Sequence, residues 1–149
     1  MNNSDEILIS LRPKHANHVF EGAKTVELRK RRPKVEPGTR VWIYATAPIA
    51  AIRGYANLAH IETGPPSHIW KALGDQTGIS KSEFEGYFKA CEVAHALILE
   101  DVMRMKKALP LQQIRKMVND FQPPQFFCHL NGAKKSMRLS SRKYEPIKK

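Results

Sequence analysis

The chain has 149 residues, of which 42% are hydrophobic, enough for one domain with a real core and too many for a wholly disordered chain. Lys and Arg number 25 against 14 Asp and Glu, a formal charge of +11, and no window nears the roughly 20 consecutive apolar residues of a membrane span, so no membrane partner is expected. Two cysteines, Cys91 and Cys128, make neither a disulfide framework nor a zinc site, and MNNSDEILIS lacks the pattern of a secretory signal; the expectation is a soluble protein of a reducing, cytoplasmic compartment.

Ile7 to Leu11, ILISL, reads as a short buried strand that stops at Arg12-Pro13. Pro13 suits the first turn of a helix on which Ala16, Val19 and Phe20 share a face, and Gly22 is a natural C-terminal stop. Lys24 to Arg29 reads as extended, with Val26 and Leu28 on one face and Thr25, Glu27 and Arg29 on the other. A basic loop leads to the Pro37-Gly38 turn and the strand VWIYA, residues 41–45. After Pro48 comes a longer strand, with Gly54 marking a bulge or bend.

Pro65-Pro66 opens a short helix, and Ser80 with Glu83 forms a capping box ahead of Phe84, Tyr87, Phe88 and Cys91 at helical spacing. Val93 to Leu99 is extended. Pro110 introduces a second amphipathic helix through Leu111, Ile114, Met117, Val118 and Phe121, and QFFCHL, residues 125–130, closes the run. The expected class is α+β, a small mixed β-barrel of five or six strands with flanking and inserted helices. It occupies residues 1–130, and 131–149 is expected to be a basic, disordered tail.

The excess charge is concentrated. Residues 131–149 hold Lys134, Lys135, Arg138, Arg142, Lys143, Lys148 and Lys149 against Glu145, a net of +6. Residues 23–40 hold Lys24, Arg29, Lys30, Arg31, Arg32, Lys34 and Arg40 against Glu27 and Glu36, a net of +5, and the rest is neutral. Such clusters point to a polyanion, because each neutralised phosphate releases condensed counterions. The expected partner is RNA or single-stranded nucleic acid. Its backbone contacts are assigned to Lys30, Arg31, Arg32, Lys34, Lys134, Lys135, Arg138, Arg142 and Lys143.

Gly22 to Arg29, GAKTVELR, has the form GxKxxExR and follows a strand and a helix. That order, with the PG turn, VWIYA and the closing aromatic strand, resembles the ASCH domain (activating-signal-cointegrator homology) over residues 6–130. The resemblance implies a PUA-like barrel with a ligand cleft beside the motif, for RNA, single strands or a nucleoside or nucleobase. Lys24, Glu27 and Arg29 are the candidate ligand-binding residues: the carboxylate can accept from an exocyclic amine, and the cations can grip phosphate. Trp42, Tyr44 and Tyr55 are candidates to stack bases, with Tyr44 favoured as the cleft residue.

Two activities follow from the resemblance as alternatives to binding alone. Amidohydrolases of N4-acetylcytidine in this group use a lysine, a threonine and a glutamate. Lys24 matches the lysine, Glu27 stands where the threonine would be, Thr25 has the wrong parity, and Asp75 is the nearest acid in the insertion. Ribonuclease activity would use Lys24 and Glu27 to activate a 2′-hydroxyl. No cofactor is implied. His15 and His18 are read as surface or core histidines, and Cys128 with His129 point to opposite faces of a strand, so no metal site is expected.

Overall fold

The computed structural model describes residues 6–147; residues 1–5 of the expected domain, and Lys148 and Lys149 of the basic tail, lie outside the described residues. Seven strands form one mixed sheet: β1 (Glu6–Leu11), β2 (Val26–Arg29), β3 (Arg40–Ala45), β4 (Ala51–Gly64), β5 (Ala94–Pro110), β6 (Phe127–His129) and β7 (Tyr144–Pro146). The order is β2-β5-β4-β3-β1-β6, and β7 joins β5 on the edge that β2 also uses. β1 and β3 run parallel and every other pair is antiparallel. The sheet curls into a half-barrel, the α+β arrangement expected.

ILISL and VWIYA are nearly continuous apolar runs because both faces of the sheet's centre are covered. Ile7, Ile9, Leu11, Val41, Ile43 and Ala45 pack with α1 (Pro13–Phe20), while Leu8, Trp42 and Tyr44 pack with α4 (Leu111–Met117) and the C-terminal segment. α1 has Pro13 in its first turn and buries Ala16, Val19 and Phe20; Gly22 then turns the chain at φ +80°. Between β4 and β5, α2 (Pro66–Leu73) and α3 (Lys81–Tyr87) cover Val26, Leu28, Ala94 and Ala96. The Ser80–Glu83 capping box is present, and Phe84 and Phe88 are buried beneath α3. Gly54 marks the expected irregularity: a Cβ there would lie 2.1 Å from the Met103 carbonyl oxygen, which only glycine avoids.

Three expectations are corrected. β5 runs on past Leu99 to Pro110, because β4 satisfies one edge of it and β2 and β7 the other. The helix after Pro110 stops at Met117, where Val118 turns extended and lets Phe121 reach the core. Residues 132–146 of the expected tail are folded rather than disordered. Two 3-10 turns, Gly132–Met137 and Leu139–Ser141, lead into β7, a seventh strand beyond the five or six expected. Few large apolar residues suffice there because Met137, Leu139 and Tyr144 all reach the sheet face that Trp42 and Tyr55 leave open. No described helix is long and apolar enough to cross a membrane.

Candidate functional site

The GxKxxExR segment is held from both sides. After Gly22, the Ala23 and Lys24 N–H groups donate back to the His18 carbonyl at 2.9 and 3.1 Å. The Thr25 N–H donates to the Gln76 carbonyl of the insertion, and the Thr25 carbonyl accepts from Leu99 of β5, each at 2.9 Å. β2 then pairs with β5, which turns Val26 and Leu28 into the core beneath the insertion. Glu27 and Arg29, on the other parity, remain together.

Lys24 is almost fully buried, 3% exposed. Its Nζ donates to the Thr77 carbonyl oxygen at 2.8 Å and lies 3.3 Å from Glu27 Oε1. Glu27 Oε2 lies 2.9 Å from Arg29 Nη2, an ion pair without an aligned N–H, since Nη2 has no hydrogen-bond partner. One carboxylate thus spans two cations. Asp75, the acid considered from the insertion, is exposed and does not line the site; the insertion contributes the Thr77 carbonyl instead.

These three residues form one wall of a cavity of about 610 Å³, within the ~300–1,000 Å³ typical of small-ligand sites. The other walls come from Ser10 and Arg12 at the end of β1, His15 of α1, Thr46 after β3, Tyr87 of α3 and Phe126 before β6. Thr25 of the motif does not line the cavity, and hydroxyls enter from Ser10 and Thr46 instead, although Ser10 Oγ already donates to the Pro124 carbonyl oxygen at 2.6 Å. Burial, and then the nearby Lys24 charge, push the His15 pKa below its usual 6.5, so the ring is neutral at pH 7; its Nδ1 is buried without a partner. Tyr87 and Phe126, 38% and 59% exposed, both line the cavity. Lys30 Nζ lies over the Tyr87 ring at 4.8 Å.

The aromatic expectation is corrected. Tyr44 is 3% exposed and lies in the core with Leu8, Trp42 and Ile52, outside the cavity lining. Its parity, shared with Trp42, faces α4 and the C-terminal segment. Trp42 and Tyr55 pack on each other, with the Arg40 guanidinium 4.1 Å from the Tyr55 ring centre. His15, Tyr87 and Phe126 were not among the expected site residues. A signal for Phe126 was available in the expected strand 125–130, where alternation sets Phe126 and Phe127 on opposite faces, although β6 itself begins only at Phe127.

The basic loop divides. Arg29 enters the cavity, Lys30 stacks at its edge, Arg32 donates to Thr63 Oγ1 at 3.3 Å, and Arg31 and Lys34 are exposed. In the C-terminal segment Lys135, Arg138 and Lys143 are exposed, while Lys134 and Arg142 are half-buried. Among the described residues no cluster of His, Cys, Asp and Glu could hold a metal.

A family model described as Domain of unknown function (DUF365) matches residues 7–128. An "ASCH domain-containing ribonuclease" from Zymomonas mobilis subsp. mobilis is 36% identical over 120 residues, 80% of each chain. The crystal structure of ASCH from Zymomonas mobilis superposes with a TM-score of 0.86 at 33% identity, covering 93% of this chain and 96% of that one. The N-terminal domain of Staphylothermus marinus McrB superposes at 0.51 and 13% identity over 80% of this chain and 86% of that one, a likeness of fold alone.

Proposed function

The chain belongs to the ASCH family, of PUA-like fold, and from that premise we propose that it is a ribonuclease that binds single-stranded RNA in the cavity beside Lys24, Glu27 and Arg29. The observation that carries this reading is the cavity itself, which joins a buried cation–carboxylate–cation chain to two exposed aromatic rings. A nucleotide presents the complementary parts: a phosphodiester for the cations and a base with a face to stack. The relative named a ribonuclease supports RNA over other phosphate esters.

Roles follow from the distances. Arg29 and Arg12 face phosphate oxygens, and Lys24 adds fixed positive charge beneath them where negative charge develops during reaction. Glu27 holds a cation on each oxygen, so its part is to position Lys24 and Arg29 rather than to take a proton. His15, neutral and in the cavity wall, is the group suited to that task. The 2′-oxygen attacks the adjacent phosphorus, its proton passes to His15, and the P–O5′ bond breaks. Water at the cavity mouth protonates the departing 5′-oxygen, and His15 returns its proton to solvent. Tyr87 and Phe126 stack the flanking bases, and Lys30, Arg31 and Lys34 meet phosphates outside the cavity.

The test is incubation of the protein with oligoribonucleotides and with their 2′-deoxy counterparts, followed by analysis of the ends. Products bearing 2′,3′-cyclic phosphate from RNA alone, lost on Lys24→Met and on His15→Ala, are expected. RNA bound without any product would leave a binding module as the reading. Release of acyl groups from N4-acylcytidine, added to the same panel, would favour a nucleoside amidohydrolase drawing its hydroxyl from Thr46.

A further inference from the structure

Away from that cavity, a second groove of about 400 Å³ runs between the end of β5 and the segment before β7. Four of its lining residues are cations: Lys106, Lys107, Arg142 and Lys143. Gln113 and Ser141 add neutral polar groups, and among the described residues no carboxylate lines it. Lys106 and Lys107 belong to the part of the chain whose charges otherwise balance, so only folding brings them to the basic C-terminal segment.

The pairing that creates the groove works against its own electrostatics. Met105 lies opposite Tyr144, and the Lys106 N–H donates to the Lys143 carbonyl oxygen at 3.0 Å. That hydrogen bond sets Lys106 against Lys143, one residue before β7 begins. Like charges directly opposed on paired strands destabilise the pair. The acidic residue of this segment, Glu145, is in register with Arg104 and does not line the groove. Arg142 is also fixed in place: its Nε and Nη2 donate to the Met137 carbonyl oxygen at 3.1 and 2.8 Å, and Met137 is fully buried. A groove that gathers four cations, one of them fixed in place, suits a bound polyanion.

We propose that this groove is a second phosphate-binding site, one that holds the backbone of an RNA strand whose reacting nucleotide lies in the first cavity. It rests on the RNA reading above and extends it: the protein would prefer strands long enough to span both sites. Lys134, Lys135 and Arg138 stand outside the groove lining and contribute less than Lys106 and Lys107.

The experiment titrates the intact protein with a 2′-O-methyl oligouridylate, which cannot react through its 2′-oxygen, as a tetranucleotide and as a long strand, over a range of salt. Lys106→Ala/Lys107→Ala should weaken the long strand on the order of tenfold and flatten log K against log salt by roughly 1.4, since each phosphate contact on a single strand adds about 0.7 to that slope. Tetranucleotide affinity should hold. Lys143→Ala, an exposed change on the other wall of the groove, should weaken the long strand in the same direction, and Lys89→Ala, an exposed change outside both linings, should not. Unchanged long-strand affinity and slope in the double variant would overturn the groove while leaving the RNA reading intact. Equal losses on both probes would also overturn it, because the lysines would then act through the first cavity. A parent protein that binds neither probe would overturn the RNA reading and this one together.

Discussion

Glu27 and Arg29, two places apart on β2, meet at 2.9 Å with side chains only 10% and 13% exposed. The second oxygen of the same carboxylate holds Lys24 at 3.3 Å. Removing that carboxylate leaves a buried ammonium with the Thr77 carbonyl as its remaining partner. Glu27→Ala should therefore cost about 3–5 kcal/mol, the range for breaking one side of a buried pair. Urea denaturation checks this. A midpoint equal to the parent's would mean that Lys24 finds solvent or another acceptor.

His15 sets the expected pH dependence. Burial and Lys24 hold its pKa below 6.5 in the folded protein, so the folded state resists protonation more than the unfolded chain does. Its contribution to stability is complete above pH 6.5 and is lost as pH falls from there through the folded pKa. Cleavage should fall over the same acidic side, with a midpoint below 6.5, because the protonated ring cannot accept the 2′-hydroxyl proton. A pH–rate profile of the parent and of His15→Ala measures both. The variant should bind RNA while losing turnover, and an acidic limb that persists in it would assign that limb to another group.

Phe126 should contribute binding and little stability. Its ring is 59% exposed beside the cavity, and stacking a base on such a ring is worth about 1–3 kcal/mol. Phe126→Ala should weaken a short RNA by that amount with an unchanged melting temperature. Tyr44→Phe should leave binding alone, because that ring lies in the core. Titration of both variants with one oligonucleotide separates the two cases.

What was legible in the sequence was local. The stop at Gly22, the Ser80–Glu83 cap, the alternation of Val26 and Leu28 against Glu27 and Arg29, and the bulge at Gly54 each depend on neighbours a few places away. The motif's own contribution to the cavity was legible for the same reason. His15, Tyr87 and Phe126 were not, because they reach that cavity from α1, from the insertion and from the approach to β6, and the curl of the sheet decides which parity faces it. Tyr44 shows the same limit: its alternation was read, but which face carries the cleft is a tertiary fact.

Phe84 tests the insertion. It is 2% exposed and packs between Trp70 and Phe88, with ring centres 5.0 and 4.8 Å away. Phe84→Ala should cost about 3–5 kcal/mol. Thr77 lies in the same insertion and anchors Lys24, so loosening it should also lower turnover at temperatures where the rest of the fold persists. Melting curves set beside activity against temperature measure this, and a parent-like midpoint would show that the ring is not a structural anchor.

The C-terminal segment gives the sharpest contrast between sequence and structure. As a disordered basic arm it would be removable without harm to the fold. In the structure Met137 is fully buried, Leu139 is 7% exposed, and the Tyr144 ring packs against Trp42 and Tyr55. β7 also occupies the β5 edge at Met103–Met105. Deleting residues 131–149 would uncover that apolar face and leave an unpaired strand edge open to association with other chains. The truncated protein should therefore lose stability and aggregate rather than merely bind RNA more weakly. Met137→Ala isolates the packing component without removing any charge, and should cost about 2–5 kcal/mol while leaving the salt dependence of RNA binding as it was. Denaturation midpoints, light scattering and salt titrations of the two variants distinguish a folded brace from a charged arm. A stable, monomeric truncation with a flatter salt slope would restore the arm.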